Sequence, residues 1–276
     1  MTALPVATDA STDGFKARQA TNTTAATGRI YFWQAASLWI GVGRGRTQWH
    51  EHHAHQLALA LDGDFRFRTE AEGQWEVYRG SIVPSHCTHQ FELDGILVAH
   101  LFVEPESKAG RALARRFGLH GVSPLPDEDT SAAIRLLRSA QDARAGAERM
   151  IATASQALSL LCGAGTETAS ELDPRLARAL EYVRLHIKAP IALADAAAAA
   201  TLSESRFRHL FVAETGCSFR AYLLWLRINV AIESVMAGAS WTEAAHDAGF
   251  SDSAHLTRTH KRMFGIEPTS IRPGSY

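Results

Sequence analysis

The stretch LADAAAAATLSESRFRHLF, residues 193–211, and its later echo SWTEAAHDAGFSDSAHLTRTHKRMF, residues 240–264, decide the fold. In the first, Leu193 to Ala200 reads as a thin, small-sided helix and Thr201-Leu202 as a turn. Ser203 then caps a second helix whose Phe207, Leu210 and Phe211 share one face. Arg206, Arg208 and His209 are left pointing elsewhere. The echo repeats the plan, with Ser240 to Ala248 as a helix, Gly249 as the turn and Asp252 to Phe264 as the second helix. There Leu256, Met263 and Phe264 face inward, while Ser253, Thr257, Arg258 and Lys261 face out. Between the two lies Phe219 to Met236, 18 residues and so roughly 27 Å of helix. One such helix-turn-helix is a weak signal; two of them joined by a strut are a strong one.

A capped helix with a basic outer face can enter a major groove, and the strut could set two of them near one duplex repeat, roughly 34 Å, apart. Upstream, Leu176, Leu180, Val183 and Ile187 form one more apolar stripe, stopping before Pro190. The motifs Leu202-Ser203, Phe211, Glu214-Thr215-Gly216, Tyr222-Leu223, Arg227 with Ala231, Gly249-Phe250-Ser251-Asp252, Lys261-Arg262 with Phe264-Gly265, and Pro268 with Arg272 together resemble the AraC/XylS family of bacterial transcription regulators. The resemblance covers about 100 residues, Leu176 to Pro273. It implies a DNA-binding domain over residues 174–273 and base-facing positions at Ser205, Arg208 and His209, then Ser253, Thr257 and Arg258. Ser203, Arg206 and Lys261 complete the expected DNA-binding set, with promoter DNA, RNA polymerase and a second copy of the chain as partners. Three positions depart from the family pattern: Val212 replaces a basic residue, His260 a core Phe and Ile271 a Tyr. His260 shares helical spacing with Leu256 and Phe264, which makes it a hydrogen-bonded core histidine.

Residues 29–106 read differently, as short strands broken by turns. Leu57, Leu59 and Leu61 alternate with small residues, and Asp62-Gly63-Asp64 turns the chain toward Phe65 and Phe67. Gln90 to Leu93 and Ile96 to Phe102 read as two further strands. Residues 107–165 return to helical spacing, through Ile134, Leu137, Ile151, Leu158 and Leu161, and their apolar stripes suit connector or dimerisation helices. A Gly/Thr/Ser/Glu-rich run from Gly163 to Asp173 is the natural linker, and residues 1–28 read as a flexible tail. The fold class is therefore α+β: a small β-barrel, connector helices, and an all-α domain with two helix-turn-helix units.

Within the strand-rich half, Trp49-His50-Glu51-His52-His53-Ala54-His55-Gln56 packs four imidazoles into six residues. The spacings His50-x-His52-x3-Gln56-x6-Gly63 and Gly80-x3-Pro84-x-His86-x2-His89 resemble the two motifs of the cupin superfamily, a small barrel that serves as the sensor half of many AraC-type regulators. On a regular strand His50 and His52 would project to one side, where His89 and the neutral oxygen of Gln56 could complete a site for a divalent transition metal. The alternative is a metal-free pocket for an organic effector, with Trp49, His55 and His86 in its wall. Trp33, Trp39 and Trp75 belong to the barrel on either reading.

Composition excludes several other classes. Hydrophobic residues make up 46% and charged ones 21% of 276 residues, which fits a globular protein, and no run is long and apolar enough to span a membrane. Residues 1–170 carry 16 Lys+Arg against 18 Asp+Glu and residues 171–276 carry 12 against 11, so DNA binding must come from local placement. Cys87, Cys162 and Cys217 are scattered and odd in number, which fits a reducing cytoplasm. None has the His/Arg sequence context of an activated thiolate, which argues against DNA-alkylation repair. A cupin metalloenzyme, a dioxygenase or isomerase fused to a DNA-binding domain, is the competing function, weakened by Gln56 standing where a carboxylate ligand would be.

Overall fold

A computed structural model describes residues 25–163 and 171–274. Most of the expected tail and linker, residues 1–24 and 164–170, lies outside the described residues, whereas Ala25 to Gly28 begin the first strand. Nine strands form one sheet: β1 (Ala25–Trp33), β2 (Ala36–Arg46), β3 (His55–Ala60), β4 (Phe65–Arg68), β5 (Glu76–Tyr78), β6 (Gly80–Val83), β7 (Gln90–Val103), β8 (Ser123–Pro124) and β9 (Ile271–Pro273). The order runs β8-β6-β3-β7-β2-β1-β9, with β4 pairing with β7 and β5 pairing with β4. The two ends of this path, β8 and β9, do not pair with each other.

The two strands expected between Gln90 and Phe102 are one strand, β7. Its partner β2 slips register between Gly43 and Arg44, and Gly95 takes φ +74°, so the turn signal at Asp94-Gly95 is absorbed as a bulge. The bend lets one half of β7 pair with β4 and the other with β3.

Three helices, α1 (Lys108–Phe117), α2 (Asp127–Asp142) and α3 (Ala147–Cys162), cover one face of the sheet. Ile134, Leu137, Leu158 and Leu161 are buried there with Leu38, Leu57, Leu59 and Leu101. Those stripes were expected to be available for dimerisation; the sheet needs them for its own core, which removes that reason for expecting a dimer through α1–α3.

The C-terminal unit contains α4 (Pro174–His186), α5 (Leu193–Ala199), α6 (Glu204–Thr215), α7 (Phe219–Met236), α8 (Trp241–Asp247) and α9 (Ser253–Phe264). Its core gathers Leu176, Leu180, Val183, Phe207, Phe211, Tyr222, Ile228 and Leu256. Ser203, Ser218, Ser240 and Asp252 cap their helices by accepting main-chain N–H groups, which fixes where each helix starts. Leu210 and Phe264 are half-buried against this core, and Phe264 also meets Phe102 and His52 of the sheet half.

The C-terminal unit is sewn to the sheet by main chain. β9 runs parallel to β1 from Ala26/Ile271 to Gly28/Pro273, and the Gln48 N–H donates to the Gly265 carbonyl at 2.7 Å. Gly265 has φ +69°, and a Cβ there would lie 2.5 Å from the Gln48 oxygen and 2.6 Å from His50 Nδ1. Gly265→Ala should therefore lower the urea midpoint by more than ~1 kcal/mol of stability; an unchanged midpoint would show that the seam does not bear load.

Candidate functional site

Helices α6 and α9 follow their turns as anticipated, and they carry the expected polar faces. Ser203, Ser205, Arg206, Arg208 and His209 are exposed on α6 and its cap, as are Ser253 and Arg258 on α9. Thr257 is half-buried. Lys261, expected to face DNA, is drawn into an ion pair with Glu267 at 2.5 Å. Arg262, one turn beyond Arg258, is exposed and lines a groove with Arg258, His255 and Arg220. The i, i+4 spacing of Arg258 and Arg262 was the available signal for their shared face.

A cavity of about 850 Å³, its mouth included, opens between the sheet and α7. Its walls come from both halves: Trp39, Phe91, His100 and Phe102 on one side, Trp225, Asn229, Ile232, His260 and Phe264 on the other. Trp49, His55 and His86, the effector residues expected from sequence, do not line it. Trp49 lies under Arg68, His55 accepts from the Ser85 N–H, and His86 lines the separate α9 groove. His260 is a buried core histidine as expected, its Nδ1–H donating to the Ile266 carbonyl at 3.0 Å. Its Nε2 and the indole N–H groups of Trp39 and Trp225 are buried without a hydrogen-bond partner, and all three residues line this cavity. Among the described residues, no lysine or arginine lines it.

Beside the cavity, His50, His52 and His89 bring their ring nitrogens within 4.8 Å of one another. They do so without a regular strand: His50 and His89 share an isolated bridge, and His52 lies in a loop before β3. Each ring donates Nδ1–H to a main-chain carbonyl, of Gln48, Ala54 and Cys87 respectively, at 2.8–2.9 Å. For His50 and His89 that fixes the tautomer and leaves Nε2 as the electron-pair donor, whereas His52 Nε2 is engaged by Gln56. Burial and neighbouring imidazoles hold His50 down at about 3 and His89 well below its ordinary range. Burial likewise holds His52 at about 4. These neutral imidazoles fit a transition cation, and His89 Nε2 is buried without a partner. Gln56, expected as a ligand, instead bridges His52 Nε2 and His100 Nδ1 at 2.8 Å each. Because a neutral imidazole carries one N–H, His52 donates to the Ala54 carbonyl only if Gln56 offers it the amide N–H, with the amide oxygen accepting from His100.

The third group of histidines joins the two halves. His53 Nε2 donates to Glu106 at 2.9 Å, with both side chains at most 3% exposed. Its Nδ1 lies 3.3 Å from His86 Nε2 and 3.5 Å from Cys217 Sγ. Burial opposes charge on His53, but its hydrogen bonds to Cys217 and Glu106 prevail and raise it to about 10. Burial also opposes the Cys217 thiolate, and hydrogen bonds from His53 and His86 still lower the thiol to about 7. The expectation that no cysteine has an activating context is thus corrected: the context comes from residues 131 and 164 positions away in sequence, which no local reading detects. Next to it, Arg184 of α4 donates to Glu104 at 2.5 Å and to the Tyr222 hydroxyl at 3.2 Å.

Comparison with known proteins bears on the C-terminal half. Residues 196–273 match the family model described as a helix-turn-helix domain. The probable transcriptional regulator LumQ of Photobacterium leiognathi is 26% identical over 89 residues, 32% of this chain and 36% of that protein. The uncharacterized HTH-type transcriptional regulator YidL of Escherichia coli K12 is 34% identical over 80 residues, 29% of this chain and 27% of that protein. The matched stretch thus spans about a third of the length of these relatives. Among solved structures, unsaturated fatty acid-bound ToxT from Vibrio cholerae aligns over 91% of this chain and 95% of its own, with a TM-score of 0.51 and 11% identity. That likeness shows a shared fold, a sheet-rich half followed by a helical one. Both of these relatives carry names that describe regulators of transcription. No described helix is long and apolar enough to cross a membrane.

The buried imidazoles make stability depend on pH. In metal-free protein, burial lowers His100 to about 3, and His55 and His260 to about 4. Above pH 6.5 neither folded nor unfolded chain protonates these rings; below it only the unfolded chain does, so stability falls toward pH 4.5. His53, raised to about 10, stays charged in the folded chain and is half charged in the unfolded chain at pH 6.5, so it offsets a small part of the loss near pH 6.5 and adds no slope below about pH 5.5. Urea unfolding at pH 6.5, 5.5 and 4.5 should show a loss steeper than ~1.4 kcal/mol per pH unit, the value for one proton; constant stability would contradict the neutral assignments.

Proposed function

On a chain whose residues 196–273 are an AraC-type helix-turn-helix domain, we propose that the whole protein is a sequence-specific transcription regulator. It binds promoter DNA through α6 and α9 and takes an uncharged, mainly apolar small molecule between the sheet and α7. The observation that carries the reading is that the cavity wall is shared by the two halves. A ligand there contacts Trp225, Asn229 and Ile232 of the strut that separates the two helix-turn-helix units, and so has different affinities for different arrangements of the halves.

The ligand's chemistry follows from the wall. Two unpartnered indole N–H donors and one imidazole acceptor, set in an aromatic and aliphatic lining, favour a compact apolar body with a carbonyl or hydroxyl group. ToxT has been crystallised with an unsaturated fatty acid; here no lysine or arginine among the described residues lines the cavity to pair with a carboxylate, so the apolar part of that chemistry transfers and the acid does not. A transition cation on His50, His52 and His89 is a second reading of the effector, favoured by ring nitrogens that lie within 4.8 Å of one another.

At the DNA, exposed Arg208 and Arg258 can each fork onto a guanine edge, with Ser205 and Ser253 able to bond several bases. With Lys261 paired to Glu267 and Val212 apolar, two positions fewer can neutralise phosphates, which flattens the salt dependence of binding. Footprinting on the DNA upstream of the protein's own coding sequence gives the site. Arg208→Ala and Arg258→Ala should each weaken binding there by about 1–3 kcal/mol with the fold intact. Unchanged affinity in both variants would refute these readout helices.

A further inference from the structure

We infer that His53, His86 and Cys217 form a binding site for a thiophilic divalent cation of the Zn2+ class, separate from the His50/His52/His89 cluster and assembled from both halves of the protein. The three ligand atoms lie within 4.8 Å of one another. His53 comes from the loop before β3, His86 from the loop after β6, and Cys217 from the turn between α6 and α7.

The spacing suits a tetrahedral cation. Zn–N distances of about 2.0–2.1 Å and a Zn–S distance of about 2.3 Å place two nitrogen ligands roughly 3.3–3.4 Å apart and a nitrogen and a sulfur roughly 3.5–3.6 Å apart. The corresponding separations are 3.3 Å for His53 Nδ1 to His86 Nε2 and 3.5 Å for His53 Nδ1 to Cys217 Sγ. Behind the first ligand, Glu106 accepts from His53 Nε2–H at 2.9 Å. This is the carboxylate–histidine support that orients a ligating ring and raises its basicity.

Two further features belong to a site and not to ordinary packing. His86 has φ +60°, a left-handed backbone that places its ring against His53. The same three residues line the groove beside α9, which provides an entry path and leaves the fourth coordination position to water. Binding displaces the protons on Cys217 Sγ and His53 Nδ1 to solvent, while the His53 Nε2–H stays on Glu106; no oxidant or reductant is required.

Titration of the full-length protein with Co2+, followed by Zn2+ competition, tests the site, because sulfur ligation gives a thiolate-to-cobalt charge-transfer band that imidazole ligands alone do not. The site requires one equivalent of Co2+ with this band, displaced by Zn2+ and abolished in Cys217→Ser. His86→Asn, which tolerates the left-handed backbone, should weaken binding at least tenfold even if Cys217→Ser fails to fold. Cys87→Ser and His50→Ala should keep the band. Absence of the band in wild type, its persistence in Cys217→Ser, its loss in Cys87→Ser, or unchanged affinity in His86→Asn would each overturn the assignment and leave a hydrogen-bonded imidazole–thiol cluster.

Discussion

The whole arrangement depends on a short main-chain seam between the end of the helical unit and the first strand of the sheet. Chain that has passed through six helices comes back as β9, pairs with β1, and presents the Gly265 carbonyl to Gln48. Main-chain hydrogen bonds fix register as well as contact, so the seam sets which side of α7 and α9 meets the sheet. The shared cavity, the contact of Phe264 with Phe102 and the meeting of Cys217 with His53 all follow from it.

Ionic groups at the interface refine that placement. Glu104 and Glu106 follow β7 into the space between the halves, and both are buried. Burial and the neighbouring Glu106 raise Glu104, while Arg184 holds its charge in place; burial also opposes charge on Glu106, where His53 prevails and lowers it. Such buried pairs add little net stability, because desolvation offsets attraction, but removing one partner strands the other. The interface is therefore selective in geometry and sensitive to whatever changes the charge or ligation of His53. A ligand in the cavity and a cation at Cys217 would act on the same docked arrangement from two sides.

Much of the helical half was legible because its signals are local. Side-chain caps, a left-handed turn and apolar residues at threes and fours identify α5–α6 and α8–α9, and their polar residues are exposed where the pattern put them except for Thr257 and Lys261. His260 could be read as core from its spacing with Leu256 and Phe264. What was not legible depends on residues far apart in sequence. The bulge that fuses two apparent strands into β7 needs β4 and β3 as partners, and the return of β9 to β1 has no local signature. The histidine run was conspicuous, yet its division into three environments was not. His50 and His52 turn toward His89, His53 turns toward Cys217, and His55 accepts from Ser85. A regular strand would have sorted them by alternation; the loop from residue 51 to residue 54 sorts them by their neighbours instead.

The central claim is that the cavity belongs to both halves, so that filling it changes how the protein holds DNA. Asn229 lies on the strut and in the cavity wall, away from both readout helices. The most direct measurement is the affinity of Asn229→Phe for the footprinted DNA, with far-ultraviolet circular dichroism confirming unchanged helix content. The account predicts a shift of at least fivefold, about 1 kcal/mol, the lower range of allosteric coupling. An affinity equal to wild type in a variant whose cavity is filled would contradict it.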